Sequence, residues 1–284
     1  MKDINPGTGG SSPTNFTAQG SYLYFAASDG STGTELWRTD GSAANTALVK
    51  DIVAGSGSSS PGSSGAMFSA GSMLYFQGID QSSLPGPGWE LYSSTGNIGS
   101  GGLLKDINVS YGGANSAPDN FAYLGSGNTV YFVANDEVVG SELWKSDGTS
   151  GSTVLVKDIT PGADGTTFSR IVVLNNKMYF TAYSSVSGVE LWQSDGTSVG
   201  TIVLKDINPG LASSAPLGMA ICGSYIYFSA DDGTNGRELW RTDGTAGGTE
   251  LVSDIVSGSG GSNPGNFLYH ASLHAVLFYC LYSG

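Results

Sequence analysis

The chain has 284 residues, 39% of them hydrophobic, which is ample for a sizeable core. Its formal charge of −13 speaks against nucleic-acid and anionic-membrane partners, which are bound through basic patches. No run reaches the length of a membrane span, and two cysteines, Cys222 and Cys280, make neither a disulfide framework nor a zinc site.

The string Lys2-Asp3-Ile4 opens the chain with no signal peptide before it, and a polar link over residues 5–14 follows. Asn15 to Gln19 is predicted as a strand, Gly20-Ser21 as a turn, and the aromatic-rich run Tyr22 to Ala27 as a second strand. Ser28 to Thr34 is a loop carrying Asp29-Gly30 and Gly33. Glu35 to Thr39 is a third strand, Asp40-Gly41 opens a turn, and Ala47 to Ile52 is a fourth strand. No segment has a sustained helical period.

The same four-strand sequence then returns. Glu35-Leu36-Trp37 recurs at Glu90-Leu91-Tyr92, Glu142-Leu143-Trp144, Glu190-Leu191-Trp192 and Glu238-Leu239-Trp240, at steps of 55, 52, 48 and 48 residues. Asp-Gly follows the Trp copies at Asp40, Asp147, Asp195 and Asp243. Lys-Asp-Ile closes most repeats, at Lys50, Lys105, Lys157 and Lys205. The second repeat diverges most, with Leu84-Pro85-Gly86-Pro87-Gly88-Trp89 in its loop and Thr95-Gly96 at its turn. The last repeat offers Phe267 to Leu273 and Ala275 to Tyr282 as strands, and the sequence ends before another Glu-Leu-Trp.

A period near 50 residues with four short strands is the pattern of a β-propeller. Neighbours along a strand point to opposite faces, so Leu36 and Trp37 are both buried only if each sheet is sandwiched between others. The reading is therefore all-β, a propeller of about six four-stranded blades. The blades span about 5–52, 53–107, 108–159, 160–207, 208–255, and 256–284 together with 1–4. The last blade is built from both termini and lacks its own Glu-Leu-Trp strand.

These strings resemble the ELWxxDGT repeat proteins, tandem arrays known mainly from bacterial surface or secreted proteins. The resemblance covers five repeats and part of a sixth, and is weakest in the second. It implies an extracellular or cell-surface β-propeller and carries no defined activity or catalytic residue.

Fifteen of the 24 acidic residues stand at repeat positions, which marks them as structural. The repeat Glu shares a strand face with Trp, and two roles suit it: accepting hydrogen bonds, or pairing with the strand-four Lys. The loops between strands two and three vary more. Trp89, Asp136, Glu137, Tyr183, Asp231, Asp232 and Arg237 are the candidate ligand-binding residues, the two aromatics as platforms for a sugar ring. Asp29, Asp231 and Asp232 are candidate Ca²⁺ ligands, although Asp29-Gly30-Ser31-Thr32-Gly33 lacks the acidic ladder of an EF-hand loop. Solvated turns and loop packing are the competing roles for all of them. His270 and His274 have no metal-ligand spacing, and no nucleophile-elbow or phosphate-loop string occurs. The expected function is a non-enzymatic module binding a glycan or cell-surface protein. The alternatives are a filament subunit self-associating through the incomplete terminal blade, and a polysaccharide-active enzyme. One Cys222–Cys280 bridge and glycosylation at Asn15 and Asn108 stay open at this point.

Overall fold

The computed structural model describes every residue except 1, 64, 66, 81, 83–85, 271–274 and 281–284, and the side chain of Tyr269. The Leu84-Pro85 stretch, His274, and the predicted strand ends at Leu273 and Tyr282 lie outside the described residues. The chain divides into two compact units, Met1–Leu155 with Gly162–Asp164, and Val156–Pro161 with Gly165–Gly284.

The described residues form strands and no helix. The first unit holds three antiparallel meanders. The first sheet is β1 (Thr14–Gln19), β2 (Tyr22–Ser28), β3 (Thr34–Thr39) and β4 (Ala47–Lys50). The second is β5 (Phe68–Ala70), β6 (Met73–Gly78), β7 (Glu90–Ser94) and β8 (Gly102–Lys105). The third is β9 (Asp119–Tyr123), β10 (Val130–Asn135), β11 (Ser141–Ser146) and β12 (Val154–Lys157), the chain passing into the second unit along β12. The second unit continues with β13 (Val172–Leu174), β14 (Lys177–Ser184), β15 (Gly188–Ser194) and β16 (Ile202–Lys205). The fifth sheet is β17 (Leu217–Cys222), β18 (Tyr225–Asp231), β19 (Arg237–Thr242) and β20 (Glu250–Ser253), and a two-stranded sheet of β21 (Gly265–His270) and β22 (Ala275–Tyr279) follows.

Local chemistry fixes these hairpins. Asn175 and Asn176 both take positive φ, 51° and 58°, in the two-residue turn between Leu174 and Lys177, the conformation a right-twisted hairpin needs. In β4, Leu36 pairs with Lys50 but Trp37 with Leu48, so Val49 is an extra residue. The same bulge recurs in β8, β16 and β20. Beyond it the chain leaves the sheet. That is why strand four ends at Lys50 rather than at the expected Ile52, whose N–H is donated to Glu35 instead of to a neighbouring strand.

Packing follows the two faces of strand three. Leu36 joins Tyr24 of its own sheet to Leu74, Phe76 and Tyr92 of the second. Leu91 reaches Val130, Phe132 and Trp144 of the third. In the second unit Leu191 packs with Phe228 and Trp240 of the fifth sheet. All three leucines are fully buried, so within each unit the strand-three leucine packs into the following sheet. The indole N–H groups of Trp37, Trp144, Trp192 and Trp240 are buried without a hydrogen-bond partner, so these rings act as apolar surface.

Two expectations about the last sheet change. It has two strands among the described residues, and Lys2–Ile4 is not a strand. Ile4 packs on Phe25, Ala27 and Trp37 of the first sheet, and Lys2 sits 5.9 Å from the Trp37 ring centre. Cys222 and Cys280 form no disulfide.

Candidate functional site

The densest polar chemistry surrounds the repeat glutamates. Glu35, Glu90, Glu190 and Glu238 are fully buried. Each carboxylate is met by the link that follows its sheet. Glu190 accepts the N–H groups of Ile207 (2.9 Å) and Ser214 (2.8 Å) and the hydroxyl of Ser214 (2.5 Å). Glu35 takes the same bonds from Ile52 and Ser59, Glu90 from Ile107 and Ser116, and Glu238 from Ile255 and Ser262. Burial pushes the carboxyls of Glu35, Glu90 and Glu190 above the ordinary range, against the pull of these bonds.

Of the two roles open to the repeat Glu, hydrogen-bond acceptance is the one realised. The strand-four lysines go elsewhere. Lys50 donates to the Gly101 carbonyl, Lys105 to that of Thr153, Lys157 to that of Thr201 and Lys205 to that of Thr249, at 2.6–2.8 Å, each reaching the strand three–four turn of the next sheet.

Sequence reasoning missed the serine partners, although a signal was present. Each clamp serine begins a Ser-x-Pro string: Ser59-Ser60-Pro61, Ser116-Ala117-Pro118, Ser214-Ala215-Pro216 and Ser262-Asn263-Pro264. The middle residue takes φ of 43–47° in all four, a strained value for a side-chain-bearing residue. Its N–H bonds the carbonyl of the residue before the glutamate, namely Thr34, Trp89, Val189 and Arg237. The link thus lies against the loop between strands two and three. This close approach requires glycine at Gly33 and Gly188, where a Cβ would meet the Gly57 carbonyl oxygen at 1.8 Å and that of Ala212 at 2.6 Å.

The sequence-predicted residues sit in these loops. Asp29 accepts from the N–H and hydroxyl groups of Ser31 and Thr32, and the Thr32 amide bond chiefly holds it down at about 2. Asp136 accepts from the Val138 and Val139 amides, and Glu137 from the Ser110 hydroxyl. Asp231 and Asp232 adjoin, but each caps its own turn, on Gly233 and on Thr234 and Asn235. Trp89 is half-buried with its backbone N–H donated to the Asn115 side-chain oxygen, while Tyr183 is exposed. Arg237 directs its guanidinium at the carbonyls of Ser214, Ala215 and Ser229. Among the described residues no group of three or more His, Cys, Asp and Glu comes together.

A separate cleft of about 310 Å³ opens in the second unit among Arg170, Met219, Asn266 and Phe267. The Phe267 ring lies on Gly218, where a Cβ would come within 2.6 Å of it. The exposed Arg170 guanidinium has no hydrogen-bond partner among the described residues. The cleft therefore pairs an uncommitted cation with apolar walls.

The chain matches no protein-family model and no curated protein. Its arrangement of sheets is similar to that of solved peptidases. One is a prolyl endopeptidase from a study of inter-domain dynamics in catalysis and specificity, at 11% identity and a TM-score of 0.50, covering 90% of this chain and 37% of that one. Others are a puromycin hydrolase (13%, 0.46, covering 87% and 38%) and a puromycin-hydrolyzing peptidase of Mycobacterium tuberculosis (10%, 0.46, covering 84% and 37%). The chain spans less than two fifths of these proteins. The fold is one that propeller-containing peptidases use. This corrects the expectation of a non-enzymatic adhesion or glycan-binding module, and with it the filament-subunit and polysaccharide-enzyme alternatives.

Proposed function

We propose that the chain is a propeller domain of a peptidase-related protein, and that it receives peptides rather than cleaving them. In this reading the sheets are the blades of a six-bladed ring. The observation that carries the proposal is the likeness to the prolyl endopeptidase over 90% of this chain but only 37% of that one. The Arg170 cleft supports it, because an unpaired guanidinium beside Phe267 and Met219 suits a peptide carboxylate and an apolar side chain. The extracellular setting rests on the ELWxxDGT resemblance alone.

The test is titration of the purified chain with short fluorescent peptides, proline-containing ones included, beside a serine-directed fluorophosphonate probe. Saturable binding that Arg170→Ala weakens, with neither cleavage nor labelling, is the expected result. Turnover or a labelled serine overturns the non-catalytic part. Absence of binding overturns the receiving role.

A further inference from the structure

The link over residues 2–13 is built like the four links that hold a glutamate, yet no glutamate of the described chain meets it. Its sequence is in register with three of them: Ile4 precedes Ser11 by seven residues, as Ile52 precedes Ser59, Ile207 precedes Ser214 and Ile255 precedes Ser262, whereas Ile107 precedes Ser116 by nine. Ser11-Ser12-Pro13 repeats the Ser-x-Pro string, and Ser12 takes the same strained φ, 43°.

The anchoring bonds repeat as well. Lys2 donates to the Thr46 carbonyl at 2.9 Å, as Lys205 does to that of Thr249. Asn5 donates its side-chain amide to the Gly10 carbonyl, as Asn108 does to that of Asn115 and Asn208 to that of Ser213. Ser28 N–H bonds the Ser11 carbonyl, as Ile79 bonds Ser59, Asn135 bonds Ser116 and Asp231 bonds Ser214. Only the clamp is unfilled. The N–H of Ile4 and the N–H and hydroxyl of Ser11 have no partner among the described residues, while their counterparts all converge on a carboxylate.

We infer that Ile4 and Ser11 form a preorganised seat for a sixth glutamate, presented on an extended strand of the Glu-Leu-Trp type. Three converging donors suit a carboxylate, and a neutral amide would turn its own N–H groups toward them. The Ser12 N–H, whose counterparts bond the carbonyl before each glutamate, is placed to hold the incoming backbone, and the seat selects the acid. The strain at Ser12 is already present, so the occupant meets a link that needs no rearrangement.

The probe is a labelled synthetic peptide with the sequence of Gly188 to Thr197. Its two acidic residues and absence of basic ones remove any general attraction to a chain of net charge −13. Saturable binding is expected, with a higher melting midpoint of the complex. Replacing the peptide's glutamate by glutamine should weaken binding about tenfold or more, as should Ser11→Ala in the chain. Ser11→Ala should leave the melting midpoint of the free chain unchanged, because its hydroxyl bonds nothing there. Equal affinity for the glutamine peptide, undiminished binding by Ser11→Ala, or no binding at all would each overturn the inference.

Discussion

Ser214 donates both its backbone N–H and its hydroxyl to the carboxylate of Glu190, 24 residues earlier in the chain. Neither residue is exposed to solvent, so the bond joins the end of one repeat to the start of the next in a dry environment.

Removing the acceptor should cost more than removing one donor. Glu190→Ala leaves the Ile207 and Ser214 amides and the Ser214 hydroxyl buried and unpaired, and is expected to cost about 3 kcal/mol or more. Ser214→Ala leaves the amide bonds in place and should cost about 1–2 kcal/mol. Denaturant unfolding of the two single variants and the double variant checks this. Additive losses would show that the pair is not coupled.

Trp192 is 5% exposed and its indole N–H bonds nothing, so its contribution is that of a ring. Trp192→Ala should cost about 3–5 kcal/mol, and Trp192→Phe less than half as much. The second repeat already carries Tyr92 here, with its hydroxyl buried and unpartnered. Thermal melting separates the two variants, and equal losses would mean that the N–H matters after all.

Stability should pass through a maximum on the acid side of neutrality. The carboxyls of Glu35, Glu90 and Glu190 are raised above 4.5 by burial. A raised acid binds its proton more tightly when folded, so its contribution is full below the unfolded value and is lost as pH rises through the folded one. Asp29 and Asp40 are held at about 2, by the Thr32 amide and the Ser42 hydroxyl foremost. Their contribution is present above 3.8 and lost as pH falls toward 2. The melting midpoint is therefore expected to rise from neutral toward pH 4.5 and to fall below 3.8. A midpoint that only declines from neutral downward would contradict this balance.

Asn108 begins a glycosylation string but is 2% exposed, with its amide on the Asn115 carbonyl. Asn15 binds the Pro61 carbonyl. Intact mass after secretion from a glycosylating host should show no glycan at Asn108, because attachment requires an accessible amide nitrogen. A modified Asn108 would mean that glycan transfer precedes closure of this link.

The strands were readable because alternation, Asn and Gly turns and a repeated Glu-Leu-Trp agree with one another. Strand four was read too long at Ile52, since no residue type announces the bulge at Val49. The clamp was half readable. Repetition marked the glutamate, but its serine lies 24 residues away at Ser59, in a link crowded with other serines, and only the shared Ser-x-Pro singles it out. Arg237 read as a candidate ligand-binding residue because its carbonyl partners are set by the course of the backbone. Arg170 was passed over because nothing in its sequence surroundings repeats.

The glutamate clamp also says where such a chain can be cut and rejoined. Boundaries drawn at the sheets separate each glutamate from its serine and each lysine from its carbonyl. Boundaries drawn in the loop before the glutamate keep both the carboxylate and its seat in one segment. Recombined or shuffled variants with junctions near Gly188 should therefore fold, whereas junctions near Asn208 should fail even when every strand is kept. The heritable module of this protein is offset from the sheet that the eye picks out.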